Sequence, residues 1–461
     1  MRRTLFILTL LLYCCTISAQ QYSFSFQPAE LEDTTLYIGR HYRDEVQLLD
    51  STRYSAKGYI FRGKRTWPRG IYALVRQDRK TVLTDFLVDD SRSFTLSGDA
   101  KMTATSIKVK GSKANQLMFK YRATDQEARR EADSLRKAGN QEALTALSER
   151  MAAYIEQVER IGKDNLYLQL ENSCEPAEVP DSITDKPYYY RTHYWDPLFN
   201  SEFGIRNSEL LYSPQLFNKM NYYFFGLLYR ADADTIIKEL DRLMARIGDD
   251  TAMTRYVLQF IEPRYYRSTR NIGWDAVWCH IASNYILKGR CPWMRESELY
   301  LARQNYNRIS KSIIGAHGQE LWMLDTTQID APEHWHSSHR QPARYVILWF
   351  WDPDCHHCQE QSAELKTLYD SLTAPDRRFE VYAVGYDSDV EKWKKYVKEH
   401  DFRWINVGGP NVNIDYQEAY NVHGAPTMII LDWRRDIIMN KVLPIKSLLQ
   451  FLDNYEKNTK H

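Results

Sequence analysis

Six consecutive apolar residues, Tyr345 to Phe350, constrain this chain more than any other feature. A strand with no polar face has to be covered on both sides, so its surroundings must supply helices for two faces. The sequence after it does so. Beyond Cys358, Leu365, Leu368, Tyr369 and Leu372 fall at the i, i+3, i+4, i+7 positions of a helix. Phe379 to Val384 reads as the next strand. Ser388 with Glu391 reads as a capping box, opening a helix with Val390, Trp393 and Val397 on one face. Thr427 to Leu431 reads as a further strand, and Ser447 to about Tyr455 as a closing helix. Strands alternating with helices predict an α/β domain with a mixed central sheet over residues 311–461.

At 461 residues the chain exceeds one hydrophobic core, and about three domains are expected. Residues 22–112 hold short β-like runs (Thr35 to Ile38, Ile71 to Val75, Phe86 to Val88) between turn signals such as Pro68-Arg69-Gly70 and Ser97-Gly98-Asp99. They predict an all-β, sandwich-like antiparallel domain with no catalytic constellation. Residues 114–310 predict a mostly helical domain. Its first part is rich in Ala, Glu, Arg, Leu and Gln, and Ile236, Leu240, Leu243, Met244, Tyr256, Val257 and Phe260 carry a helical period. Residues 1–19 read as a signal peptide: Arg2 and Arg3, a short apolar run from Leu5 to Tyr13, and small residues before Gln20. A lipid anchor on Cys14 or Cys15 is the rival reading, but Leu12 and Tyr13 are bulkier than that cleavage takes. No transmembrane span is expected in the mature chain. A net charge of +1 gives no bulk attraction for nucleic acid, and the 32 tyrosines are read as packing and surface residues.

Export places the cysteines where disulfides persist. With Cys14 and Cys15 removed, Cys174, Cys279, Cys291, Cys355 and Cys358 remain. The first three cannot all pair with each other, so either one thiol is free or a bridge such as Cys279–Cys291 exists. Cys355-His356-His357-Cys358 lies between a buried strand and a helix. Cys355 then meets the unpaired N–H groups of the helix amino terminus, which favour a thiolate. The spacing brings both sulfurs to one end of the helix. His356 and His357 add positive charge or a hydrogen bond that lowers the Cys355 pKa. A zinc site needs a second ligand pair. His334, His336 and His339 offer an H-x-H-x-x-H, but in a polar loop beside Pro332, so a dithiol without metal or cofactor is the expectation.

The stretch Trp351-Asp352-Pro353-Asp354-Cys355-His356-His357-Cys358 resembles the W-x-x-x-C-x-x-C site of the thioredoxin superfamily, and Gly424-Ala425-Pro426-Thr427 resembles its cis-proline loop. The domain resembles TlpA-like and ResA-like oxidoreductases of the Gram-negative envelope, with Asp387 to Tyr420 as their inserted element. The resemblance is strong over 311–461 and weaker upstream, where a β-rich domain of unknown function and a helical domain precede the thioredoxin module. The resemblance implies catalytic Cys355 and Cys358, a cis Pro426, and substrate contacts at Ala425, Pro426 and Trp351. It also implies a periplasmic location, disulfide-containing protein substrates and a separate redox partner protein. Two departures stand out. Thioredoxin has a buried Asp six residues before the first cysteine, where this chain has Trp349. After Asp432 the chain has Trp433-Arg434-Arg435 where relatives often have glycine, a change expected to affect loop shape only.

The leading expectation is a periplasmic thiol–disulfide oxidoreductase that reduces envelope proteins. Within that class the alternative is oxidase or isomerase work, because a stabilised thiolate makes the disulfide more oxidising. From another class comes an envelope binding protein that uses the module only for docking. An intact CxxC with a cis-proline loop argues against it. A peroxidase reading fails on Asp352, which stands where a Thr or Ser is needed.

Overall fold

The protein is described from a computed structural model covering residues 21–201, 208–267, 271–373, 376–386 and 389–459. The signal-peptide reading, Cys14, Cys15 and Ser388 fall outside these residues. The chain divides into two compact units, one running to Tyr229 and one starting at Arg230.

In the first unit, eight strands form one sheet: β1 (Tyr22–Pro28), β2 (Thr35–Tyr42), β3 (Glu45–Ser55), β4 (Gly58–Gly63), β5 (Gly70–Val75), β6 (Val82–Val88), β7 (Ser93–Gly98) and β8 (Lys108–Lys110). Their order is β6-β5-β2-β3-β4-β1-β7-β8. The three sequence-read runs lie in β2, β5 and β6. One pairing differs from the all-antiparallel expectation, since β1 runs parallel to β7. The sheet curls on itself, so that Phe86 of β6 meets Phe26 of β1 across four intervening strands, 5.1 Å between ring centroids. Phe24, Phe94 and Trp67 complete that aromatic core. Strand β6 is an edge. The buried Asn115 covers it, accepting from the Leu87 N–H (2.7 Å) and donating to the Leu87 carbonyl (2.8 Å). Asn115 lies in the first turn of the helix Lys113–Lys137, capped by Ser112, and Gln141–Gly162 and Leu166–Cys174 follow.

The second unit begins with the helices Ala233–Ile247, Thr251–Arg267, Trp274–Ile281 and Glu296–Ile309. Every apolar position read there as periodic, from Ile236 to Phe260, is buried. A seven-stranded mixed sheet follows: β9 (Trp322–Asp325), β10 (Trp335–Ser337), β11 (Tyr345–Trp351), β12 (Phe379–Gly385), β13 (Ile405–Val412), β14 (Thr427–Leu431) and β15 (Ile437–Met439), in the order β10-β9-β13-β12-β11-β14-β15. β11 lies between a parallel β12 and an antiparallel β14, and all seven of its residues are buried. Its alternation divides two cores. Tyr345, Ile347, Trp349 and Trp351 face the one containing Cys358, Leu365 and Tyr369. Val346, Leu348 and Phe350 face the one containing Tyr382, Val407 and Tyr420. The helix after β11, His356–Ser371, turns Cys358, Ser362, Leu365 and Tyr369 inward. Leu372 lies beyond its end in extended backbone, which corrects the expected stripe. The next helix, Val390–Glu399, is capped by Asp389, whose carboxylate accepts from the Glu391 and Lys392 amides. Among the described residues no helix is long and apolar enough to cross a membrane.

Candidate active site

The site sits where β11 gives way to the helix His356–Ser371. The connecting turn is closed by its own polar groups. The Cys355 N–H donates to the Asp352 carbonyl (3.1 Å) and the Asp354 N–H to Asp352 Oδ1 (2.7 Å). Gln359 Nε2 reaches back to the Pro353 carbonyl at 2.7 Å. Cys355 is the N-cap of the helix, in extended conformation, and its Sγ accepts the Cys358 N–H at 3.3 Å. A sulfur in that position takes up an orphan donor and faces the positive end of the helix dipole. Cys355 is half-buried and Cys358 fully buried. Burial first, then the neighbouring Cys355 sulfur, pushes the Cys358 thiol up to about 12. Both cysteines are free thiols here.

A second loop closes over the first. Ala425–Pro426 is a cis peptide bond, and the Cys355 thiol donates to the Ala425 carbonyl at 3.7 Å. Thr427 Oγ1 holds the Gly424 carbonyl at 2.7 Å. Two loops some 70 residues apart in sequence thus meet at one sulfur.

Compared with known proteins, residues 343–437 match a family model described as thioredoxin-like. The carboxy-terminal domain is thioredoxin-like. Among solved structures, the chain is similar to a domain of a possible thiol-disulfide isomerase from Cytophaga hutchinsonii, at 28% identity over 32% of this chain and 96% of that one (TM-score 0.28). It is also similar to a thioredoxin-like protein from Bacteroides caccae, at 16% identity over 61% of this chain and 98% of that one (TM-score 0.43). A third similarity is to the thioredoxin domain of a thiol-disulfide oxidoreductase from Bacteroides vulgatus, at 22% identity over 31% and 96% (TM-score 0.27). No curated protein matches the chain.

Within the thioredoxin-like domain, the residues singled out in the sequence fall in different places. Cys355, Cys358, Ala425 and Pro426 come together. His356 and His357 stand exposed on the first turn, and each faces one oxygen of Glu360, at 3.2 Å and 3.5 Å. Helical spacing of i+4 and i+3 makes that grouping readable in retrospect. Trp351 is a correction: expected at the substrate surface, it has no exposed area and packs edge-on to Phe402 with Tyr396 beside it. The last residue of β11 points into the core because the strand's alternation puts it on the Trp349 face. Trp349 is equally buried and donates to Ser362 Oγ at 2.9 Å. The upstream histidines are split. His334 and His336 turn toward Asp325 (3.0 Å and 3.6 Å), while the His339 ring lies against His317. Among the described residues no His, Cys, Asp and Glu group is arranged to hold a metal ion.

Three features escaped the sequence reading. Lys392 pairs with Asp354, just before Cys355. Arg308 donates to His423 Nε2 at 2.8 Å, three residues before the cis proline. Asp352, weighed in the sequence against a peroxidase reading, is half-buried and accepts the Asp354 N–H within the turn. The first two join residues far apart in the chain, so no local pattern announces them. Cys174, Cys279 and Cys291 are free thiols, and the Cys279–Cys291 bridge left open by the sequence is not formed. Burial pushes Cys279 up to about 12 and Cys291 to about 11.

Proposed function

We propose that this chain is a thiol–disulfide oxidoreductase of the cell envelope that reduces disulfides in protein substrates through Cys355 and Cys358. The observation that carries this reading is the Cys355 sulfur itself, which caps a helix, takes the Cys358 N–H and lies against the carbonyl before the cis proline. A thiolate there is stabilised by the helix terminus and is the attacking species. It bonds to one sulfur of the substrate disulfide and releases the other as a thiolate. Cys358 then displaces the substrate from Cys355, leaving an intramolecular disulfide. The Ala425–Pro426 loop offers backbone groups to an extended substrate segment, as in strand addition. His356 and His357, exposed beside Cys355, are proposed to favour its thiolate. The exported, periplasmic location and a separate electron donor belong to the same proposal.

The direction is the open half of this reading. Stabilising the thiolate favours the reduced state and makes the disulfide more oxidising, so the N-cap geometry favours oxidase or isomerase work as the second reading. The test is the reduction potential of the couple, read by thiol alkylation across a glutathione series with Cys358→Ala as the control that cannot close. A potential near about −270 mV supports a reductant and one near about −120 mV an oxidant. If no reversible disulfide forms, the oxidoreductase reading fails.

A further inference from the structure

The cis-proline loop has a cation beside it that comes from another part of the chain. Arg308 lies in the last turn of the helix Glu296–Ile309. Its Nη1 donates to His423 Nε2 at 2.8 Å and its Nη2 to Asn305 Oδ1 at 3.1 Å. His423 stands two residues before Ala425, so their alpha carbons are within about 7 Å of each other. The Ala425 carbonyl is the one that meets the Cys355 sulfur. The helix that supplies Arg308 lies outside residues 343–437, the stretch that matches the thioredoxin-like family model.

This cation is poorly matched by the protein itself. A guanidinium carries five N–H donors, and Arg308 places two of them, both on neutral acceptors. Among the described residues it forms no ion pair with a carboxylate. Glu418, on the helix Tyr416–Tyr420 that leads into the loop, is exposed and forms no ion pair with it. The His423 end is unsettled as well. Its Nε2 also lies 2.8 Å from Asn421 Oδ1. One ring nitrogen can accept from Arg308 or donate to Asn421, and cannot do both. A carboxylate that took over Nη1 would leave Nε2 to donate to Asn421, so the exchange strands no polar group. It would also meet a planar fork of charged N–H groups, the geometry that suits a carboxylate.

We propose that Arg308 is a specificity-determining residue that receives an acidic side chain of the substrate polypeptide, close to its disulfide-bonded cysteine. This rests on the oxidoreductase reading and deepens it by naming the substrate class. An extended segment laid against Ala425 advances about 3.3 Å per residue, which puts the acidic residue roughly two to four positions from the cysteine. Arg308 takes no part in the exchange of bonds. It governs which segments are captured, and it repels those with Lys or Arg at the same place.

The experiment uses the reduced mature chain and synthetic peptides whose single cysteine carries a 2-thiopyridyl group. The Cys355 thiolate bonds to the peptide sulfur and thiopyridone leaves with the electron pair, so its absorbance reports capture in stopped flow. The peptides are neutral except for one Asp or one Lys, moved through the positions on either side of the cysteine. The readout is the ratio of the Asp rate to the Lys rate, in which any general loss of reactivity cancels. At the best position the native ratio is expected to be about 5–10. Arg308→Ala should bring it close to unity, Arg308→Lys should keep part of it, and Arg308→Glu should invert it. Raising the salt from about 0.05 to 0.5 M should shrink the native ratio. A native ratio near unity at every position overturns the proposal, and so does a ratio that survives in Arg308→Ala, which would leave Arg308 a purely structural role. Uncharged dithiodipyridine separates the two readings. If the native protein releases no thiopyridone from it, the oxidoreductase reading has failed and the proposal falls with it; if it does, a lost preference counts against Arg308 alone.

Discussion

Asp33 shows how much a single side chain in the first unit can carry. Its carboxylate is buried and accepts from Arg76 Nε (2.9 Å), Arg76 Nη2 (2.8 Å) and the Gln77 amide (3.3 Å). The Arg76 hydrogen bond holds its pKa below the usual carboxylate range, and burial only partly opposes this. A folded-state pKa below the unfolded one means stability that is present above about pH 4 and is lost as pH falls through the lowered folded value. Asp33→Ala is expected to cost about 2 kcal/mol at neutral pH, with Arg76 left half-exposed and able to recover water. The urea midpoint measured at neutral pH and again near about pH 3 checks this, since the gap between native and variant should shrink in acid. At the site, Trp351 and Asp352 are neighbours with opposite fates. Alternation along β11 sends the indole inward, whereas the turn that follows decides where the carboxylate goes, and only the turn's hydrogen bonds reveal it.

The elements divide by whether the signals that specify them are local. β11 is readable because the apolar run from Tyr345 to Phe350 leaves only one environment for it, and all seven residues of the strand are buried. The active-site helix was readable because its period and its capping cysteine lie in one stretch of chain. β9, β10, β13 and β15 were not read. Two of them are three residues long, and β13 contains Gly408, Gly409 and Pro410, which argue against a strand by composition. They exist because partner strands offer them hydrogen bonds. The same dependence makes the β6 edge testable. Asn115→Leu keeps the volume but leaves the Leu87 N–H and carbonyl unpaired in a buried place, with an expected cost of about 2–3 kcal/mol. Equilibrium unfolding gives the cost, and hydrogen exchange at the Leu87 amide shows whether the loss is local. The turn at Trp433-Arg434-Arg435 does more than shape a loop. Arg435 stands at φ 67° and its guanidinium binds the carbonyls of His339, Gln341 and Asp432, which ties the segment entering β11 to the β14–β15 turn.

At the scale of the molecule, the boundary between the compact units falls between Tyr229 and Arg230. The helices from Ala233 to Ile309 belong to the same unit as the thioredoxin-like domain. Specific hydrogen bonds join the two. Asn440 donates to Asp275 (2.6 Å) and to the Ser312 carbonyl (2.9 Å), and Arg308 binds His423 beside the cis-proline loop. A fragment from Arg230 to the end is therefore expected to unfold cooperatively. One beginning at residue 311 should melt lower, by roughly 2–4 °C for each kcal/mol that the helices contribute. Calorimetry on the two fragments decides this, and equal melting temperatures would show that the helices add nothing to the domain.

By itself the sequence determined the features that short-range patterns encode: a strand buried on both faces, helices alternating with strands around it, a cysteine at a helix cap, and a β-rich region ahead of a helical one. Each follows from periodicity or spacing within a few residues, where burial and backbone geometry leave little freedom. Only the tertiary structure decided that β1 runs parallel to β7, that Trp351 is core, that Ala425 meets Cys355 and that Lys392 takes Asp354. Those outcomes join groups far apart in the chain. Their partners are chosen by which polar atoms remain unsatisfied once the cores have packed, and no local pattern records that choice.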